Sequence, residues 1–142
     1  MSDFVLDNSV AMRWLLQTAK VTDQEYAISV LETMVEKAAV VPNLWHLEAV
    51  SVLLGAEKRE EISLAEVESF LAQLESLPIH VDLATASHAF GRIMRLAKTY
   101  NLSSYDAAYL ELAVREGLPI ATLDKNLTKA AKKAEIALYL LD

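Results

Sequence analysis

Phe4-Val5-Leu6-Asp7-Asn8-Ser9-Val10 joins a short apolar run to an acid and then to a segment able to begin a helix. Related arrangements recur downstream. Val40-Val41 precedes Pro42 and the segment carrying Glu48, and Ile120-Ala121-Thr122-Leu123 precedes Asp124. Short apolar runs alternating with helical stretches describe an α/β chain with a parallel sheet covered on both faces. In such sheets, ligands bind outside the carboxyl ends of the strands. Asp7, Glu48, Asp106 and Asp124 are expected at that edge, each in or just after a segment that starts a helix. At ~4 Å and an effective dielectric of about 20, one carboxylate pair repels by roughly 4 kcal/mol. A cluster of four needs a neutralising partner, and a divalent cation is the natural candidate.

Working outward, strands are expected at Phe4 to Leu6, Val40-Val41, Pro78 to Val81, Pro119 to Thr122 and Ile136 to Leu140. Gln24 to Ala38 carries a helical stripe of Ala27, Val30, Leu31, Met34, Val35 and Ala38. Asn43 is positioned to cap a helix running to about Arg59. Ser63-Leu64-Ala65-Glu66 has the capping-box pattern and opens a helix with Leu64, Val67, Leu71 and Leu74 on one side. A long helix is expected from Asp82 to about Tyr100. Another runs from Ser103 to a Gly117 C-cap, and a short one from Lys125 to Lys133. No linker or repeat interrupts the 142 residues, so one domain is expected over 1–142.

Composition narrows the classes. Hydrophobic residues are 54% of the chain, which disfavours disorder, and three Gly and three Pro favour helices with short loops. Without cysteine there is no disulfide, thiolate metal site or thiol nucleophile. Met1-Ser2-Asp3-Phe4 does not read as a secretory signal, and no apolar run approaches the ~18 residues of a membrane span. A cytoplasmic protein with no membrane partner is expected. A net charge of −7 disfavours general, charge-driven nucleic-acid binding. The charge is uneven: Lys125, Lys129, Lys132 and Lys133 cluster near the C-terminus, while acid is dense from Glu57 to Glu75. The lysines read either as a solvated helix face or as a phosphate-facing rim beside an acidic pocket.

Each acid also has a simpler reading. Asp7 and Asp124 are suitable helix N-caps, and Asp106 stands at the third position of a box opened by Ser103. Glu48 fits a solvated helix position. Asp82 follows a strand and opens a helix, and is read as a cap alone.

The acids and their neighbours, taken in order, are more specific than any one motif. Phe4-Val5-Leu6-Asp7-Asn8-Ser9-Val10, Pro42-Asn43-Leu44-Trp45-His46-Leu47-Glu48, Ser103-Ser104-Tyr105-Asp106-Ala107-Ala108-Tyr109-Leu110 and Pro119-Ile120-Ala121-Thr122-Leu123-Asp124 together resemble the PIN-domain family. The likeness is greatest to the VapC-type toxin ribonucleases of toxin–antitoxin systems. It implies a PIN-like three-layer α/β/α fold with a five-stranded parallel sheet in the order 3-2-1-4-5. It also implies that Asp7, Glu48, Asp106 and Asp124 form an acidic quartet around Mg²⁺ or Mn²⁺. Asp7 and Asp106 are expected as direct ligands, with Glu48 and Asp124 ligating through water or positioning it. An RNA substrate, a VapB-type antitoxin whose tail occupies the groove near the acids, and a homodimer follow from the same likeness. Ser9 and Thr122 match small polar positions near the first and last acids. Two residues depart from the pattern: Ser51 replaces a common Asn three residues after Glu48, and Asn8 replaces a smaller residue.

The expected chemistry is metal-assisted phosphodiester hydrolysis. A phosphatase with Asp7 as nucleophile lacks its second carboxylate, because Ser9 stands there. A phosphoacceptor receiver domain wants its acid after the third strand, where Asp82 has ill-matched surroundings. A catalytically inactive PIN-like binding module is a further alternative. His46, His80 and His88 show no metal-ligand spacing, and Trp14 and Trp45 read as core residues rather than base-stacking ones. Arg13, Arg92, Lys98 and Lys125 are read as solvated, with phosphate contact as the alternative. Mean hydropathy of +0.24 is high for so charged a chain, which suggests surface covered by a partner. Gln24 to Ala38 and Leu64 to Leu74 are the candidate stretches for that contact.

Overall fold

The computed structural model describes residues 1–17 and 20–141. Strand β1 (Phe4–Leu6) lies between β2 (Ala39–Pro42) and β4 (Ile120–Ala121), and β3 (Ile79–Asp82) pairs on the far side of β2. All pairings are parallel, in the order β3-β2-β1-β4, with Val5 between Val40 and Ile120. Successive strand residues point to opposite faces. Phe4, Val5 and Leu6 are all fully buried, so both faces of β1 are covered.

The fifth strand expected at Ile136 to Leu140 is reduced to one parallel bridge between Leu138 and Ile120. It sits beside β4, as the expected order requires. Glu135 (φ 60°) and Leu140 (φ 65°) take left-handed backbone, which bends the chain out of the extended form on either side. Two backbone bonds, Ile120 N–H to Ala137 O and Tyr139 N–H to Ile120 O, hold the segment together with its side chains. Tyr139 stacks on Phe4 with ring centroids 4.0 Å apart and donates its hydroxyl proton to Thr33 Oγ1 at 2.7 Å.

Helices flank the sheet. After α1 (Asn8–Ala11) and a 3₁₀ turn over Met12–Trp14 come α2 (Val21–Thr33), α3 (Trp45–Lys58) and α4 (Leu64–Ser76). Helix α2 stops at Thr33, short of the expected Ala38, and so leaves Val35 exposed. Asn43 does not cap α3: Leu44 occupies that position, and the Asn43 N–H donates to Thr85 Oγ1 at 2.9 Å. Ser63 and Glu66 make both halves of the capping box of α4. The face that α4 buries is Val67, Phe70 and Leu74, while Leu64 and Leu71 face outward.

The single helix expected from Asp82 to Tyr100 is three pieces. These are α5 (Thr85–His88), a π-helical turn over Ala89–Ile93 and α6 (Met94–Tyr100). The turn contains Gly91, and an extra residue per turn at such a point rotates the following side chains. Phe90 is left 94% exposed. Helix α7 (Ser104–Glu116) is capped by Ser103 and ends on left-handed Gly117. Helix α8 (Lys125–Lys133) follows β4. Trp45 is buried in the core, and Trp14 donates Nε1–H to Ala27 O at 2.8 Å, so both tryptophans pack rather than project. No helix among the described residues is long and apolar enough to cross a membrane.

Candidate active site

The loop after β1 carries Asp7, the first turn of α3 carries Glu48, the first turn of α7 carries Asp106, and the loop after β4 carries Asp124. Four segments distant in sequence thus deliver one carboxylate each to the same edge.

Asp7 stands at the N-cap position of α1 yet makes no capping bond. Its carboxylate turns instead to two hydroxyls. Ser9 Oγ and Thr122 Oγ1 both donate to Asp7 Oδ2, at 2.6 and 2.7 Å. A hydroxyl has one proton to give, so the 3.4 Å approach of Ser9 Oγ to Thr122 Oγ1 leaves both protons on Asp7. The hydroxyls are themselves held by backbone: Leu123 N–H donates to Ser9 Oγ, and Asp124 N–H to Thr122 Oγ1. The Asp7 rotamer is therefore tied to the β4–α8 loop that presents Asp124.

Asp124 does cap α8, accepting from Leu127 N–H at 2.8 Å through Oδ2. Asp106 lends its N–H to the Ser103 cap at 3.1 Å, which leaves its carboxylate facing the other acids. Glu48 is gripped by two donors that the sequence reading did not assign to the site. Tyr109 Oη donates to Glu48 Oε1 at 2.5 Å, and Asn8 Nδ2 approaches the same oxygen at 3.3 Å. Asn8 Nδ2 also donates to the Trp45 carbonyl at 2.8 Å, linking the start of α1 to the start of α3. The signal for Tyr109 was its spacing: three residues after Asp106, it lies on the same face of a helix. Asn8 was visible only as a departure.

The electrostatics show one shared field. Burial is the main cause that pushes Asp7 up to about 6. The Ser9 and Thr122 bonds oppose it, and the Glu48 and Asp124 charges add to it. Asp106 is likewise pushed up to about 6 by burial and by Asp124, Asp7 and Glu48. Burial, with the charges of Asp7 and Glu48, keeps the Tyr109 phenol protonated and able to donate.

Asp82 lies outside this group, but it is not a cap. Arg115 forks onto it, Nη1 to Oδ1 at 3.1 Å and Nη2 to Oδ2 at 2.8 Å. These bonds and the guanidinium charge hold Asp82 below the usual carboxylate range. Arg115 also binds buried Glu111 through Nε at 2.9 Å. Among the described residues, none of the three histidines is hydrogen-bonded to the four acids: His46 stacks edge-on against Trp45, and His80 is exposed on edge strand β3.

The donor set is all carboxylate oxygen, which suits hard divalent cations. Among the described residues no group of three or more His, Asp or Glu side chains is drawn together as a finished metal cage. The acids are near enough to raise one another's proton affinity. Their chemistry fits a cation.

The PIN domain family model matches residues 4–133. The chain belongs to the PIN domain family. PIN domains are generally nucleases. Two solved structures share the PIN fold of this chain. The crystal structure of PAE2754 from Pyrobaculum aerophilum is 20% identical with a TM-score of 0.63, covering 91% of this chain and 86% of its own. That of FitAcB from Neisseria gonorrhoeae is 18% identical with a TM-score of 0.61, covering 96% of each chain. No curated protein sequence matches this PIN domain.

Proposed function

We propose that this PIN domain is a Mg²⁺- or Mn²⁺-dependent endoribonuclease, the toxin of a VapBC-type pair. The observation that carries the reading is the convergence of Asp7, Glu48, Asp106 and Asp124 from four segments into one repulsive field. Asp7 and Asp106 would bind the ion directly, and Glu48 and Asp124 would hold its waters or complete its shell. When bound, such an ion lowers the pKa of a water and polarises the phosphoryl group. The chain's own contribution is orientation. Ser9 and Thr122 fix one oxygen of Asp7, and Tyr109 and Asn8 fix one oxygen of Glu48.

The test is cleavage of RNA by purified protein freed of any antitoxin, with Mg²⁺ or Mn²⁺. Activity is expected to vanish with EDTA and in Asp7→Asn and Asp106→Asn. Cleavage that persists in EDTA, or in both variants, rejects the reading; so does RNA left intact under every condition. Tyr109→Phe keeps the buried ring and removes only the donor to Glu48. Groups that orient metal ligands are typically worth 10–100-fold in affinity or activity. A loss of about that size in Mn²⁺ affinity by titration calorimetry, with an unchanged circular dichroism spectrum, is expected.

Exposed apolar side chains support the partner side of the proposal. Phe90, Met94 and Tyr105 are 56–94% exposed and line, with Leu44 and Ile93, a cavity of about 760 Å³. Contiguous apolar surface of this kind marks interaction sites. It suits a homodimer or antitoxin contact better than the stretches 24–38 and 64–74, where exposed apolar residues are more scattered.

A further inference from the structure

Helix α8 carries Lys125, Lys129, Lys132 and Lys133 in nine residues, with no acid between them. At 100° per residue the four fall within one arc of about 100°. Leu127, Ala130 and Ala131 occupy the opposite side and are buried. Among the described residues, none of the four lysines forms an ion pair.

Helix energetics do not account for the stripe. Lys132 and Lys133 favour the C-terminal end of the helix dipole, but Lys125 sits at the positive N-terminal end. Lys125 with Lys129, and Lys129 with Lys133, are like charges four apart, a spacing that destabilises a helix. The position of the stripe is informative: it begins at the residue after Asp124. From Lys125 to Lys133 it runs about 12 Å at 1.5 Å per residue, the length of three or four phosphates of a stacked strand.

We infer that the lysine face of α8 is a rail for the phosphate backbone of single-stranded RNA, leading the strand to the acidic edge at Asp124. The inference rests on the endoribonuclease reading for its substrate class. A lipid surface fits less well, because the apolar side of α8 is in the core and the exposed face offers no apolar residue to insert. The rail also reconciles an acidic protein with a polyanionic substrate: four lysines are concentrated on the approach, where counter-ion release assists binding.

The test is anisotropy of a fluorescein-labelled twelve-residue oligouridylate, titrated with protein in EDTA from 50 to 300 mM KCl. Wild type is compared with Lys125→Gln/Lys129→Gln/Lys132→Gln/Lys133→Gln. Gln is a good helix former at exposed positions, and a melting curve checks the fold. With about 0.7 of salt-slope per neutralised phosphate of a single strand, the variant is expected to flatten the plot of log K against log salt by roughly 2–3. Its affinity at low salt is expected to fall more than about tenfold, and the KM for cleavage to rise with kcat unchanged. Equal slopes and affinities overturn the inference, as does a dependence on the lysines for binding anionic vesicles or polyglutamate but not RNA. Lysine-dependent RNA binding without any metal-dependent cleavage would leave the rail standing and remove the nuclease reading. Cleavage with the same KM in both proteins would remove the rail alone.

Discussion

Asp7→Asn is expected to give a protein that melts at a higher temperature than wild type and no longer cleaves RNA. The two effects share a cause. Asp7 is buried, and its proton affinity is raised from the ordinary 3.8 to about 6. A carboxylate raised in the folded state carries no penalty below its unfolded pKa, and the full penalty once pH exceeds the folded one. Stability of the metal-free protein therefore declines between about pH 4 and pH 6 on account of this group. At neutral pH a shift of that size corresponds to about 3 kcal/mol. Asn keeps an oxygen able to accept from Ser9 and Thr122 but carries no charge. Weaker bonds to a neutral acceptor offset part of the gain, leaving about 1–2 kcal/mol. Melting curves at pH 7.5 and pH 4.5 check this: the variant should lead by several degrees at the higher pH and not at the lower. Mn²⁺ should raise the wild-type melting temperature and leave the variant's unchanged. Cleavage should fall at least about a hundredfold, since loss of a ligand exceeds loss of its supporting contacts. A variant less stable than wild type at pH 7.5 would show that the charge is not what strains the site.

Arg115→Ala is expected to be strongly destabilising although it lies away from the acids. Arg115 joins Asp82 at the end of β3 to Glu111 on α7, and Glu111 is only 2% exposed. Removing one member of a buried ion-paired group costs about 3–5 kcal/mol, because the remaining charges stay desolvated. Arg115 itself is 17% exposed, so the lower figure, about 3 kcal/mol, is expected. For a chain of this length that lowers the melting temperature by roughly 10 °C. Arg115→Lys should recover only part, since an ammonium cannot fork onto Asp82 and Glu111 together. Asp82, held low by Arg115, supplies stability above the ordinary carboxylate range that is lost as pH falls through its depressed pKa. Asp82→Asn should thus be less stable than wild type at pH 7 yet cleave RNA normally. Loss of cleavage in a folded Asp82→Asn would bring Asp82 into the site.

The two substitutions concern one residue that stands out in the sequence, Asp7, and one that does not, Arg115. Asp7, Glu48, Asp106 and Asp124 were legible because each sits where a strand ends or a helix begins, a local pattern. The caps were legible too, except at Asp7. Asp124 caps its helix, Ser103 takes that role beside Asp106, and Asp7 occupies a cap position while bonding elsewhere. Asp82 was set outside the quartet for the wrong reason, since its partner Arg115 is thirty-three residues away. Asn8 was noted only as unusual, and it joins the starts of two helices. The break in the helix at Ala89–Ile93 had one weak sign, Gly91, in an otherwise helical stretch.

Apolar period, capping residues and Gly or Pro positions act over a few residues, so the alternation of short strands and helices is written in the chain directly; the family resemblance rests on the ordered acids and their neighbours. Bonds such as Thr122 to Asp7, Tyr109 to Glu48 and Arg115 to Asp82 span 115, 61 and 33 residues. Their donors and acceptors look like ordinary polar residues until packing removes water and leaves each with only the few partners within reach. Which carboxylate is fixed, which is strained and which is merely paired is therefore a property of the assembled sheet edge.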